Sequence, residues 1–162
     1  MRNQVLESDF NQAVEDIKLF LLDMALKARQ RGWSFTTTDN APESYSALKA
    51  VSVDKCIHIP DYGSDTSIYG KEINTLFRFY HDVTHLENGW SFSEASETLT
   101  AKKHEADAIE FGLSPLALEI LWADTFGQVA YYFKRKQFVN NQLDFVYMCL
   151  QVGVNKACTV NI

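Results

Sequence analysis

Phe77-Arg78-Phe79-Tyr80-His81-Asp82-Val83-Thr84-His85 carries two of the chain's four histidines, four residues apart. That spacing sets both on one face of a helix. Asn74 and Arg78 continue the face toward the N-terminus, whereas Ile73, Leu76, Phe77, Phe79, Tyr80 and Val83 are apolar or aromatic. A polar stripe therefore runs along a helix otherwise built for a core. Polar groups in a core are costly unless they are paired or bound, so what satisfies this stripe organises the reading of the whole chain.

Outward from that helix the pattern stays helical. Phe10, Ala13, Val14, Ile17, Leu21, Met24, Ala25 and Ala28 recur at helical spacing behind a candidate N-cap, Ser8, and Gly32 follows Arg29 and Arg31 as a stop signal. Ser91 and Glu94 have capping-box spacing for a helix that ends at Gly112. Ser114-Pro115 opens another, apolar nearly all round. The spacing predicts helices over 8–31, 71–86, 92–111, 115–136 and 142–152. Between the first two, Thr36 to Pro42 reads as a loop. Ala50-Val51-Ser52-Val53 and Cys56-Ile57-His58-Ile59 read as two short strands joined at Asp54-Lys55. The expected architecture is mainly α: a single-domain bundle of about five helices with a small β-hairpin before the second.

The composition narrows the function classes. At 162 residues the chain can bury a core as one domain. A formal net charge of −6 argues against a general electrostatic grip on nucleic acid, which needs a basic face. It leaves room for a nucleotide held by a metal and one Arg, and for a homo-oligomer. The start, Met1 to Glu7, has no apolar signal core. The run from Leu116 to Phe133 is interrupted by Glu119, Asp124 and Gln128, which fits a buried helix and not a membrane span. Cys56, Cys149 and Cys158 form no C-x-x-C pair, as expected of buried thiols in a reducing, cytoplasmic compartment.

Three helices bring inward-facing polar groups. The central one brings His81, Asp82 and His85. The next brings Glu97 and His104, seven apart with small Ala101 between them. The fourth brings Asp124 and Gln128, four apart among Trp122, Phe126 and Tyr131. Imidazoles and carboxylates converging from separate helices make a ligand set for a divalent ion, with donors suiting Zn, Mn, Fe or Mg. The alternative is a buried histidine–carboxylate network that holds no metal.

Tyr80-His81-Asp82-Val83-Thr84-His85 resembles the His-Asp doublet of the HD-domain metal-dependent phosphohydrolases, and Trp122-Ala123-Asp124-Thr125 is similar to that family's later Ala-Asp. The resemblance implies a helical fold, a nucleotide or other phosphoester substrate, and His81, Asp82 and Asp124 as metal ligands. It departs at the family's earlier metal-binding His, for which this chain offers only His58. Either His58 serves, or His85, Glu97 or His104 completes the set. Arg78, one turn before His81, is then the candidate for phosphate neutralisation, and Glu97 a base or ligand. The series Ile68-Tyr69-Gly70, Glu72-Ile73-Asn74, Phe77-Arg78, His81-Asp82 and His85, with Gly127-Gln128 and Tyr131, is also similar to small proteins of phages and bacteria. That similarity implies a phage origin and the host cytoplasm.

Two other readings stand beside this one. His81-Asp82-Val83-Thr84-His85 also reads as a variant of the H-E-x-x-H zinc-peptidase helix. In it both histidines bind zinc, Asp82 is the general base and Glu97 the third ligand. The other is a non-enzymatic interaction protein, such as a phage inhibitor, whose polar stripe is structural.

Overall fold

The computed structural model describes residues 7–160. The order of elements is α1 (Glu7–Gln30), β1 (Ser34–Thr38), α2 (Tyr45–Val51), β2 (Cys56–Pro60), α3 (Lys71–Asn88), α4 (Glu94–Phe111) and α5 (Pro115–Trp122). A π-helical turn (Ala123–Gly127) then leads into α6 (Gln128–Arg135), α7 (Gln142–Val152) and the short α8 (Val154–Ala157). The mainly α, single-domain expectation holds, and the long helices fall within a few residues of where the spacing sets them. Ser8 lies inside α1, whose cap position is outside the described residues. Ser114 caps α5 by accepting from Ala117 N, with Pro115 at the first helical position. Gly112 closes α4 in the left-handed conformation. The cap of α4 is Ser93, which accepts from Ser96 N, so the Ser91–Glu94 capping box is not formed.

The β element differs from the expected hairpin. β1 and β2 pair in parallel, with Ser34 opposite Cys56 and Thr38 opposite Pro60. Parallel strands need a crossover, and α2 supplies it. Ala50 and Val51, read as strand, are the end of α2, whose N-cap Ser44 accepts from Ala47 N. An Ala/Val run this short does not distinguish strand from helix by its own pattern. Thr36-Thr37-Thr38, read as loop, makes up three of the five residues of β1, as β-branched residues on a pleated surface do. Ile57 and Ile59 of β2 are fully buried while Cys56, His58 and Pro60 alternate outward.

α3 sits at the centre and has three differently occupied faces. Phe79 and Val83 pack with Leu48, Ile57, Ile59, Ala25 and Ala28 under the sheet. Tyr80 faces the larger core formed by Phe20 and Leu21 of α1, Ile120 and Leu121 of α5, and Tyr131 and Phe145. The third face, with His81 and His85, turns to α4. Two apolar faces of one helix hold its polar face in place. Burying side chains of this size contributes about 1.5–3 kcal/mol each. No described helix is long and apolar enough to cross a membrane.

Candidate metal centre

α3 and α4 run antiparallel, and their side chains meet in register. Tyr80 donates its hydroxyl to Asp107 at 2.6 Å, His81 meets His104, and His85 meets Glu97. At the far end Gly89, at φ +67, closes α3 in a conformation that side-chain-bearing residues adopt only at a cost. The chain turns back there, so that the Trp90 carbonyl reaches His85 Nδ1 at 3.0 Å. A carbonyl only accepts, so Nδ1 carries the proton. That bond turns the other ring nitrogen, Nε2, to the space between the helices.

Three donor atoms share that space. His85 Nε2 lies 3.1 Å from His81 Nε2, and Glu97 Oε2 lies 3.4 Å from His81 Nε2 and 3.3 Å from His85 Nε2. Ligand bonds of about 2.0–2.1 Å in a tetrahedral site give ligand–ligand edges of about 3.3 Å. The triangle therefore has the size of one face of a metal tetrahedron. Among the described residues, His81, His85 and Glu97 are a group that can hold a metal ion. His85 is fully buried, whereas the His81 side chain is 27% and that of Glu97 17% exposed, so the group opens outward past them.

The electrostatics follow from this crowding. Burial raises the Glu97 carboxyl, but its hydrogen bonds to His81 and His85 outweigh that and hold it at about 2. For His81, burial favours the neutral ring, while the hydrogen bond and charge of Glu97 draw its pKa above the ordinary value. Burial drives the Asp82 carboxyl up to about 6 in spite of the neighbouring histidines. Its carboxylate is not in the three-donor group.

His104 is fully buried but is not in the group either. Its Nε2 meets Nδ1 of His81, the ring atom facing away from the three donors, at 3.1 Å. Burial and the nearby His81 and His85 charges push its pKa well down, which keeps it neutral. Its Nδ1 is buried without a partner.

Two expected members have other hydrogen-bond partners. Asp124, only 5% exposed, lies in the π-helical turn and accepts from Gln128 Nε2 at 2.7 Å. Burial raises its carboxyl to about 6, against the pull of Tyr69 and Gln128, and none of the histidines bears on it. The buried Tyr69 hydroxyl is near enough to feel this charge, although it makes no hydrogen bond of regular geometry. Arg78 donates to the carbonyls of Pro60, Tyr62 and Gly63, at 3.2, 2.7 and 2.9 Å. It clamps the loop after β2. Gly63 is required there, because at φ +72 an added Cβ would also stand 3.3 Å from the guanidinium. His58 is on β2 opposite Thr36 and does not join the group.

Sequence reasoning missed the Trp90 carbonyl. Its signal was Gly89, which turns the chain back onto the last turn of the histidine helix. It also missed Tyr69 as the neighbour of Asp124, for which the sequence holds no signal. Comparison with protein-family models, with curated proteins and with solved structures returns no match.

Proposed function

We propose that this chain is a metal-dependent hydrolase in which His81, His85 and Glu97 hold a divalent ion and Asp82 is the general base. The observation that carries the reading is the triangle formed by the Nε2 atoms of His81 and His85 and one Glu97 carboxylate oxygen. Without an ion, three lone-pair donors at 3.1–3.4 Å repel unless a proton sits among them. A divalent ion bound there would lower the pKa of a coordinated water and polarise a carbonyl or phosphoryl oxygen. The chain's own part is to fix the three donors from two helices, to hold the His85 tautomer through Trp90, and to receive a proton at the Asp82 carboxylate.

This ligand set supports the H-D-x-x-H zinc-hydrolase arrangement better than the HD-phosphohydrolase one. The latter needs Asp82 and Asp124 as ligands, and Asp124 has Gln128 as its partner. Arg78, the expected phosphate counter-charge, directs its guanidinium N–H groups to three carbonyls. A nucleotide phosphoester remains a substrate to test beside peptides. The same donor set favours a second reading, oxygen chemistry at iron, because two His and one carboxylate on one face leave the opposite positions open.

The test is hydrolysis of a panel of nucleotide, phosphodiester and peptide substrates by zinc-, manganese- and iron-loaded protein, with Asp82→Asn alongside. Turnover by the parent and its loss in Asp82→Asn, at unchanged metal content, is the expected result. Loss of metal together with turnover would restore Asp82 as a ligand and the HD arrangement with it. Turnover in Asp82→Asn equal to the parent's would remove the base.

A further inference from the structure

We infer that His104 is the positioning residue of this centre: a neutral imidazole, protonated on Nδ1, whose Nε2 accepts the Nδ1–H of His81. This rests on the metal reading above and adds to it how the His81 tautomer is set. His81 Nδ1 and His104 Nε2 lie 3.1 Å apart, so one of them carries the proton between them. If His104 gives it, His81 Nδ1 is the acceptor and a neutral His81 has its proton on Nε2, pointing into the donor triangle and blocking an ion. If His81 gives it, Nε2 is left bare and faces the same space as His85 Nε2 and Glu97 Oε2. Only the second arrangement leaves all three donors free.

Two further observations set His104 in this role and not in that of a fourth ligand. Its ring is wedged against Tyr80, with centroids 4.3 Å apart, and edge-on to Phe77 at 5.7 Å, so it cannot swing toward the triangle. Its Nδ1 is buried with no hydrogen-bond partner. A buried unsatisfied ring nitrogen destabilises a fold, and an apolar side chain at this position would avoid that cost. What His104 supplies in return is the acceptor for His81. Ligating histidines commonly donate their other ring N–H to a carboxylate or carbonyl. His85 follows that rule with Trp90, and His81 uses a neutral imidazole instead. A carboxylate in that place would add negative charge close to Glu97 and Asp82.

The experiment compares His104→Leu, which removes the acceptor, with His104→Gln, whose Oε1 can stand where Nε2 stood. Zinc and cobalt affinities are measured by competition with a chromophoric chelator, together with the visible spectrum of the cobalt form and the melting temperature of the metal-free form. We expect His104→Leu to bind metal about 10–100-fold more weakly than the parent, the usual effect of losing such a partner. Its cobalt spectrum should change while its metal-free melting temperature does not fall, and His104→Gln should restore both affinity and spectrum. Parental affinity in His104→Leu would overturn the inference, as would equal losses in both variants accompanied by a lower metal-free melting temperature. A parent protein that binds no metal would instead overturn the metal reading, and would do so before any substitution is made. If His104→Leu does not fold, imidazole nitrogen NMR of the zinc-loaded parent decides: a proton on His104 Nδ1 supports the inference and a proton on Nε2 refutes it.

Discussion

Asp124→Asn separates the two metal arrangements and has a magnitude that the structure supplies. The Asp124 carboxyl is raised from 3.8 to about 6, burial being the main cause. At about 1.4 kcal/mol per pH unit, keeping it ionised at neutral pH costs about 3 kcal/mol. The stability present with the carboxyl protonated is complete below about pH 4 and is lost as pH rises through about 6. Asn reproduces the neutral shape at every pH, and the pull of the Gln128 hydrogen bond on the charged form is already contained in the net shift. The metal-free variant should therefore gain about 3 kcal/mol at pH 7.5, raising the melting temperature by about 6–12 °C for a chain of this length. At pH 4 the gain should vanish. Thermal melts of parent and variant across pH 4–8, with zinc affinity at pH 7.5, make the assay. In the His81–His85–Glu97 arrangement the affinity is unchanged. A variant that melts lower than the parent at pH 7.5 would refute the burial argument, and a fall in metal affinity would bring Asp124 back as a ligand.

Glu97→Gln tests the other end of the pH range. A carboxyl held at about 2 by His81 and His85 contributes about 3 kcal/mol above its ordinary value of 4.5, and this is lost as pH falls through about 2. The upward shift of His81 reports the same interaction, so it is counted once. Metal-free Glu97→Gln should melt lower at pH 7 and lose the parent's acid sensitivity between about pH 4.5 and 2, and acid unfolding profiles of the two would check it. Arg78→Ala removes three carbonyl contacts and should cost about 2–3 kcal/mol in urea unfolding. Zinc affinity should stay at the parent's value, and a selective loss of affinity with intact stability would return Arg78 to the site.

Much of the fold was legible because the long helices have apolar faces at regular spacing and closed ends, Ser114-Pro115 and Gly112 among them. The parallel strand pair was not. Its crossover helix has seven residues, one of them buried, too few to show a period. For the site, the spacing of His81 and His85 and the placement of Glu97 and His104 on a facing helix were enough to bring four side chains together. The roles within that group were not legible, because they depend on which ring nitrogen meets which neighbour. His104 Nε2 meets the far side of His81, at Nδ1 and not at the nitrogen in the donor triangle. The surroundings of Asp124 were ambiguous for a related reason. An acid surrounded by Leu121, Trp122 and Phe126 reads equally as a ligand and as a buried carboxylate bonded to the next turn. The carbonyl contacts of Arg78 were not legible, because the loop that encloses its guanidinium depends on Gly63 at φ +72, which no periodicity predicts.

The most direct test of the central claim is the metal content of the protein, purified without chelator or metal-affinity resin, beside that of His85→Ala. One divalent ion per chain in the parent and none in His85→Ala is the expected result. A parent without metal that also fails to take up zinc, manganese or iron, or a His85→Ala protein that keeps its ion, would contradict the account.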